Sequence, residues 1–252
     1  MRHFPTLLRH ELRSLFFSSS TYVAAVLFLL LMAGIYYLIL VQYSADEFPM
    51  PPSEMFFQTF WLPVLFMVPL LTMRSLAEER RMHTLETLLS APVTTVEVIL
   101  SKFFAAWIFY CLLWLCTLSF PLIASYGSGG TIAKGELFNG AVYVGGLSYV
   151  CLSGLLFIAV GILSSTLTRS QLVAGMLSFG ILFILLLGPK LAGAQELGLW
   201  ADWLHGPLQY LDITQHRDSF VRGILDTRPF FYYLTNSTIV LAIAALVVES
   251  KA

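Results

Sequence analysis

Six long apolar runs determine what this chain can fold into. They lie at about 21–43, 56–75, 97–124, 138–163, 171–189 and 229–248. A bilayer core of roughly 30 Å is crossed by a helix of about 20 apolar residues, and each run is close to or above that length. Only 12% of the chain is charged, whereas soluble domains carry about 25% charged residues. The sequence therefore predicts an all-α, polytopic membrane protein whose residues 1–252 form a single transmembrane domain.

Composition and missing motifs argue against several function classes. A net charge of -1 leaves no electrostatic footprint for nucleic acid, so we expect no nucleic-acid partner. The three cysteines lie in apolar runs, and their odd number and spacing favour neither a disulfide framework nor a zinc site. No GxxxxGK[ST] phosphate loop occurs, and the spans hold almost no ionisable side chains for a proton-coupled carrier or an intramembrane protease. We predict a chain that is not an enzyme, with no catalytic residue, cofactor or metal of its own.

Small residues and prolines inside the runs predict how the helices pack. Small side chains let membrane helices approach closely, and they recur in the fourth and fifth runs. They are Gly145, Gly146, Gly154, Gly161, Ala174, Gly175 and Ser178. We interpret them as packing positions rather than as a ligand site. Pro63 and Pro69 in the second run predict a kink, since proline removes a helical hydrogen bond.

Lysines and arginines predict the orientation in the membrane, because cytoplasmic loops are enriched in them. Three arginines precede the first span, and four bases lie in the stretch 74–102. The loop at 44–54 has three acids and no base. These counts place both termini, the 74–102 stretch and the turn at 164–170 in the cytoplasm. The extracytoplasmic loop at 190–228 carries four bases and is the exception, which long loops tolerate.

The N-terminal stretch LLRHELRSLF, residues 7–16, has the pattern of an amphipathic helix. Leu8, Leu12, Leu15 and Phe16 follow helical spacing, and two arginines lie elsewhere on the helix. A short helix with one apolar and one basic face is typical of the membrane interface. We predict that this helix lies on the cytoplasmic surface of the membrane.

The most charged part of the chain is AEERRMHTLETLLSAPVTTVEVILSK, residues 77–102. Residues 77–89 have helical spacing, with predicted ion pairs between Glu78 and Arg81 and between Glu79 and His83. The proline at position 92 then ends this helix. Physical chemistry alone leaves two readings open, an ordinary membrane-surface helix and a segment that binds a partner.

The third span begins just beyond this proline. Thr94 and Glu97, three residues apart, have the spacing of a capping box that starts a new helix. Glu97 and Lys102 would then lie close to the cytoplasmic face. Long charged side chains at such a position readily extend to the headgroups, so we count neither residue as an ionisable group buried within the span.

The order E-x-x-x-x-T-L-E-T-L-L-S-A-P-V-T in this stretch resembles the signature of type-2 ATP-binding-cassette exporter membrane subunits. The residues that carry the resemblance are Glu79, Thr84, Glu86, Leu88, Leu89 and Pro92. In that family the segment is the cytoplasmic coupling element that docks onto the ATPase subunit, and the resemblance implies that role for these six residues within a segment at 74–96. One departure is His83, where relatives often have glycine.

The end of the chain is similar to a branch that contains the gliding-motility and nitrous-oxide-reductase maturation permeases (GldF and NosY). Its likeness rests on Phe220, Arg222, Gly223, Asp226, Arg228, Tyr233 and the terminal Glu249–Ser250–Lys251. HELRSLFFSSSTY near the start resembles the same branch. We interpret the first five of these residues as a structural element at an extracytoplasmic gate, with Arg222 and Asp226 spaced for an i, i+4 pair.

The resemblance implies the permease subunit of an exporter in the bacterial cytoplasmic (inner) membrane. Two copies, or one copy with a related permease, would form the pathway among membrane lipid. A dimer of separate ATPase subunits, which bind ATP and Mg, would dock on residues 77–91 and on the N-terminal helix. The alternative is a membrane scaffold that anchors other proteins and transports nothing. A channel is less favoured, because no span has a polar stripe suited to line a wet pore. The sequence leaves the substrate open.

Overall fold

The computed structural model describes residues 4–45, 50–82, 94–127, 137–193, 213–221 and 227–250. Across these ranges the chain forms helices and turns, and no strand occurs in them. The helices are α1 (Phe4–Phe17), α2 (Ser19–Ser44), α3 (Pro52–Gln58), α4 (Trp61–Thr72), α5 (Ala77–Arg81), α6 (Thr95–Cys116), α7 (Ser119–Gly127), α8 (Gly140–Leu167), α9 (Gln171–Gly193), α10 (Ile213–Val221) and α11 (Thr227–Glu249).

Within the described ranges, six segments are long and apolar enough to cross a membrane, which confirms the predicted fold class. They are Ser19–Ser44, Trp61–Arg81, Thr95–Tyr126, Gly140–Leu167, Gln171–Pro189 and Thr227–Glu249. Each overlaps one predicted span. The largest difference is in the second, because residues 52–58 form the separate helix α3 and the span continues through α5. The predicted extracytoplasmic loop also contains regular structure, since α9 extends to Gly193 and α10 lies within the loop.

The second span is divided into two helices. Pro63 lies in the first turn of α4, where a backbone N–H has no helical partner. Pro69 lies inside α4, which ends at Thr72, one turn later. Residues 73–76 form turns before α5 begins at Ala77. The prolines therefore precede an interruption of the span. The short helix α5 begins after this interruption, and its first N–H groups have no partner within the helix.

Helix α8 lies at the centre of the bundle and contacts α4, α6, α9, α10 and α11. Its glycines mark the closest approaches. A Cβ added at Gly154 would lie 2.5 Å from Cε1 of Tyr110, and one at Gly161 would lie 2.8 Å from Cβ of Thr72. Real Cβ atoms do not approach neighbours this closely, so these positions need the absence of a side chain. The interpretation of the small residues as packing positions is confirmed at these glycines.

Gly154→Ala is therefore expected to destabilise the fold by about 1–3 kcal/mol, the usual cost of overpacking a well-packed core. Gly180→Ala is the matched control, because a Cβ at Gly180 meets nothing within 4 Å and alanine is the better helix former by roughly 0.5–1 kcal/mol. The measurement is the thermal unfolding midpoint of both purified variants in the same detergent. Equal midpoints would show that α6 and α8 are not in close contact at Gly154.

The N-terminal helix α1 packs along α6. The rings of Phe4 and Phe104 are 6.0 Å apart, and those of Phe16 and Phe109 are 5.4 Å apart, both edge to face. None of the residues of α1 is fully buried. The predicted helix at 7–16 is thus confirmed as a helix, and its place at the membrane surface stays a prediction. This packing brings the polar side chains of α1 to the start of α6.

Candidate functional site

The predicted coupling segment is described only at its two ends. The predicted coupling residues Thr84, Glu86, Leu88, Leu89 and Pro92 lie outside the described residues, as does His83. Glu79 and the flanking helices are described. We call residues 74–82 and 94–102 the anchor region, because they connect residues 83–93 to the membrane helices. The contacts of this region are the candidate site.

The second part of the anchor region, residues 94–102, is fixed by the predicted capping box. The Thr94 side chain accepts a hydrogen bond from the Glu97 backbone N–H at 3.3 Å. The Glu97 carboxylate accepts one from the Thr94 backbone N–H, also at 3.3 Å. Two N–H groups that the first turn of a helix leaves without partners are satisfied in this way. Helix α6 therefore begins at a defined residue directly after residues 83–93.

The first part of the anchor region, residues 74–82, is held by a serine of α8. Ser165 Oγ accepts hydrogen bonds from the backbone N–H groups of Leu76 and Ala77, at 3.0 and 2.9 Å. These are the first N–H groups of α5, which have no partner within their own helix. Arg80 of α5 donates to the backbone carbonyl of Thr166. The Ser165 side chain of the central helix thus takes the place of a local N-cap for α5. The sequence analysis did not predict this contact, because Ser165 and Ala77 are far apart in the chain.

A buried lysine joins three helices at this site. The Lys102 side chain is 4% exposed, and its Nζ lies 2.6 Å from Oε1 of Glu79 and 2.7 Å from Oε1 of Glu11. The three residues belong to α6, α5 and α1, and we call them the Lys102 triad. A buried charge is tolerated only when it is paired and hydrogen-bonded. The two carboxylates therefore hold the lysine, and the lysine holds α1 and α5 against α6.

Glu97 and Lys102 do not extend to the headgroups as their place at the start of α6 suggests, because both are buried, at 4% and 5% exposure. Helix α1 packs along α6, and the Lys102 ammonium group turns inward to the carboxylates of Glu11 and Glu79. The predicted partner of Glu79, His83, lies outside the described residues. The ion pair predicted between Glu78 and Arg81 is replaced by one between Glu78 and Arg74, whose atoms lie 3.6 Å apart.

Arg74 extends the network to the remaining helices of this end. Its guanidinium donates to Ser20 Oγ at the start of α2 and to Oε1 of Gln171 at the start of α9, the latter at 3.4 Å. With the Lys102 triad and Ser165, the anchor region contacts α1, α2, α8 and α9. These contacts connect the anchor region mechanically to four helices of the bundle. Among the described residues, no three His, Cys, Asp or Glu side chains are grouped so that they could hold a metal ion.

The predicted gate element is described in part. Phe220 of α10 is buried, and its backbone carbonyl lies against Gly145 of α8. Arg228 lies in the first turn of α11. The other three predicted residues, Arg222, Gly223 and Asp226, fall in the part of the chain that is not described, so the predicted pair between Arg222 and Asp226 stays a prediction.

Helix α10 is attached to the bundle by polar contacts that the sequence analysis did not identify. The Tyr149 hydroxyl of α8 donates to the Ile213 carbonyl at 2.7 Å. Arg217, which is buried, donates to the Gln58 carbonyl at 3.2 Å and to the Asp218 carboxylate at 2.6 Å. These bonds connect α10 to α8 and to the end of α3. Tyr149 lies in the fourth apolar run and Arg217 in the long loop, so no local spacing in the sequence connects them.

A comparison with the sequence models of known protein families finds a match. The sequence model of a family described as "ABC-2 family transporter protein" matches residues 6–249. This match extends from the first turn of α1 to the last residue of α11, so it includes both the anchor region and the described part of the gate element. No curated protein matches the chain.

Proposed function

This chain belongs to the ABC-2 transporter family, and from that premise we propose that it is the permease subunit of an ATP-binding-cassette exporter. The family and the six apolar segments make it a multi-pass membrane component of a transporter. The proposal adds a separate ATPase dimer that binds ATP and Mg, and a second copy or a related permease. It also places the protein in a bacterial inner membrane, with both termini in the cytoplasm, in the branch of the gliding-motility and nitrous-oxide-reductase maturation permeases.

The observation that carries the proposal is the attachment of residues 83–93 at both of their ends. A helix that only rests on a membrane surface needs no connection to buried groups. Here Ser165 and the Lys102 triad hold the residues that precede position 83, and the capping box at Thr94 holds the residues that follow position 93. A force applied to residues 83–93 by a docked ATPase would therefore reach α6, α8 and α1 directly. This supports the assignment of the segment as the coupling element.

Each predicted coupling residue has a role in this proposal. Glu79, whose carboxylate lies 2.6 Å from Lys102 Nζ, transmits the movement to Lys102. Thr84, Glu86, Leu88 and Leu89 bind the ATPase. Pro92 sets the direction in which the chain enters α6. The gate element around Phe220 would open at the other side of the membrane when the bundle moves.

The test is a pull-down of the tagged chain in mild detergent, with assay of the eluate for a co-purifying, vanadate-sensitive ATPase. Leu88→Asp is expected to lower ATPase retention about tenfold, which corresponds to roughly 1.4 kcal/mol, because it places a charge in an apolar contact. Glu86→Ala is expected to lower the coupled turnover without unfolding the chain. Glu54→Ala, a glutamate on α3 far from the segment, is the matched control and should leave both unchanged.

Two results would contradict the proposal. A chain that purifies without an ATPase, or an ATPase that both variants retain as well as the control does, leaves no role for residues 83–93 in coupling. The scaffold alternative would then account better for the protein, and its binding partners in the same eluate would identify what it anchors.

A further inference from the structure

A large apolar groove lies between α6, α8 and α11. Its volume is about 1080 Å³, and its walls include Phe103 and Trp107 of α6, Leu152 of α8, and Leu234 and Leu241 of α11. Sites for drug-sized ligands measure roughly 300–1,000 Å³, so this groove is larger than most of them. Because the groove is large and lies on the side of the bundle, we expect a molecule of the surrounding membrane to occupy it.

Three of the polar side chains in the wall are already hydrogen-bonded within the bundle. The hydroxyls of Ser237 and Thr238 donate to the Leu234 carbonyl at 2.9 and 2.7 Å. The Trp107 ring N–H donates to the Cys151 carbonyl at 2.9 Å. A ligand rich in polar groups would find few partners in these walls, and an unpaired buried polar group costs free energy. The groove is therefore suited to hydrocarbon chains.

The groove also has the length that acyl chains need. Along α11 the large apolar side chains of its lining extend from Phe230 to Leu246, which is about 24 Å at the helical rise of roughly 1.5 Å per residue. The hydrocarbon core of a bilayer is about 30 Å thick. The groove thus follows most of the bilayer core, parallel to the direction in which lipid chains lie.

The α6 wall favours a flexible chain over a second helix. Phe103 and Phe104 form an edge-to-face pair with ring centroids 5.1 Å apart, and Trp107 lies one turn further on. Helices in membranes approach each other through small residues, and large rings on this wall prevent such an approach. Acyl chains adapt to an irregular surface of this kind, so lipid is a better occupant than a second copy of the chain.

One end of the groove carries a single charge. Of the described residues that line it, Glu249 is the one that is an aspartate, glutamate, lysine, arginine or histidine. A carboxylate attracts the ammonium of a zwitterionic headgroup and repels the phosphate of an anionic one. We propose that the groove binds a phospholipid with an ammonium-bearing headgroup, whose acyl chains lie between α6 and α11 and whose ammonium pairs with Glu249. This binding goes beyond the proposed function and does not require an ATPase.

The test uses the full chain in vesicles of equal parts phosphatidylethanolamine and phosphatidylglycerol. After extraction in mild detergent, native mass spectrometry counts the lipids that remain bound. We expect phosphatidylethanolamine to be retained at least fivefold over phosphatidylglycerol. Ala242→Trp, which fills the groove, should lower the retained lipid about tenfold. Ile243→Trp is the matched control, because Ile243 is exposed but does not line the groove.

Glu249→Gln is a second variant, and its exposed position makes misfolding a small concern. It should keep the bound lipid and lose the preference for phosphatidylethanolamine. Equal retention of the two lipids by the unmodified chain would overturn the proposal, as would equal lipid content in the Ala242→Trp and Ile243→Trp variants. If Ala242→Trp separates a dimer without changing the lipid content, a second copy covers the groove and the proposal is wrong.

Discussion

Lys102→Met is expected to destabilise the protein by about 3–5 kcal/mol, the range measured when one partner of a buried ion pair is removed. The lysine side chain is 4% exposed and is held between the carboxylates of Glu11 and Glu79. Methionine fills most of the same space but leaves two carboxylates facing each other without a cation. For a chain of this size the thermal midpoint should fall by about 6–20 °C. The measurement is thermal unfolding of the purified variant in detergent.

Charge-matched variants separate the ion pair from simple packing. Lys102→Arg keeps the cation and should lose much less stability than Lys102→Met. Adding Glu11→Gln and Glu79→Gln to Lys102→Met should recover much of the loss, because neutral amides need no cation. Mutations in one network are not additive, so the recovery measures the coupling within the Lys102 triad. If Lys102→Met unfolds at the temperature of the unmodified chain, the triad does not hold the three helices together.

The features that the sequence predicts well depend on local spacing or on composition. The six spans follow from length and hydropathy, and the capping box of Thr94 and Glu97 follows from residues three positions apart. The glycines of α8 were interpreted correctly because small residues have one dominant use between membrane helices. In each case the physical cause lies within one helix or within one turn, so neighbouring residues contain the signal.

The features that the sequence does not predict depend on contacts between distant positions. Lys102 and Glu11 are 91 positions apart, and Ser165 is 88 positions from Ala77. Whether a lysine extends to the headgroups or turns inward depends on which helices cover it. That arrangement is a property of the packed bundle. The central contacts of the candidate site were therefore missed, although the family resemblance had named Glu79 as one of the predicted coupling residues.

The Lys102 triad also gives the N-terminal helix a role that its sequence pattern alone does not. An amphipathic pattern predicts only that α1 lies at an interface. In the structure Glu11 of α1 shares its cation with Glu79 of α5, so the two helices are connected through one side chain of α6. In an exporter driven by a docked ATPase, a movement of α5 would then displace α1 and α6 together.

Ser165→Ala is expected to have the second largest effect, because one hydroxyl oxygen accepts the hydrogen bonds of two buried N–H groups. Leaving a buried donor without a partner costs about 1–3 kcal/mol, and this change affects the donors of both Leu76 and Ala77. We also expect a lower ratio of coupled to basal ATPase turnover, because α5 loses its attachment to the central helix. Thermal unfolding and vanadate-sensitive turnover of the purified complex measure the two effects.

Ser164→Ala is the matched control for this prediction. Ser164 is the neighbouring residue and is also buried, but its hydroxyl donates only to the Val160 carbonyl of its own helix, at 2.9 Å. Its removal leaves a carbonyl that is already bonded within the helix, so stability and turnover should change little. Ser165→Thr keeps an acceptor oxygen and should retain part of the coupling. If Ser164→Ala and Ser165→Ala behave alike, attachment of α5 to α8 does not contribute to coupling, and the Lys102 triad remains as the route between residues 83–93 and the bundle.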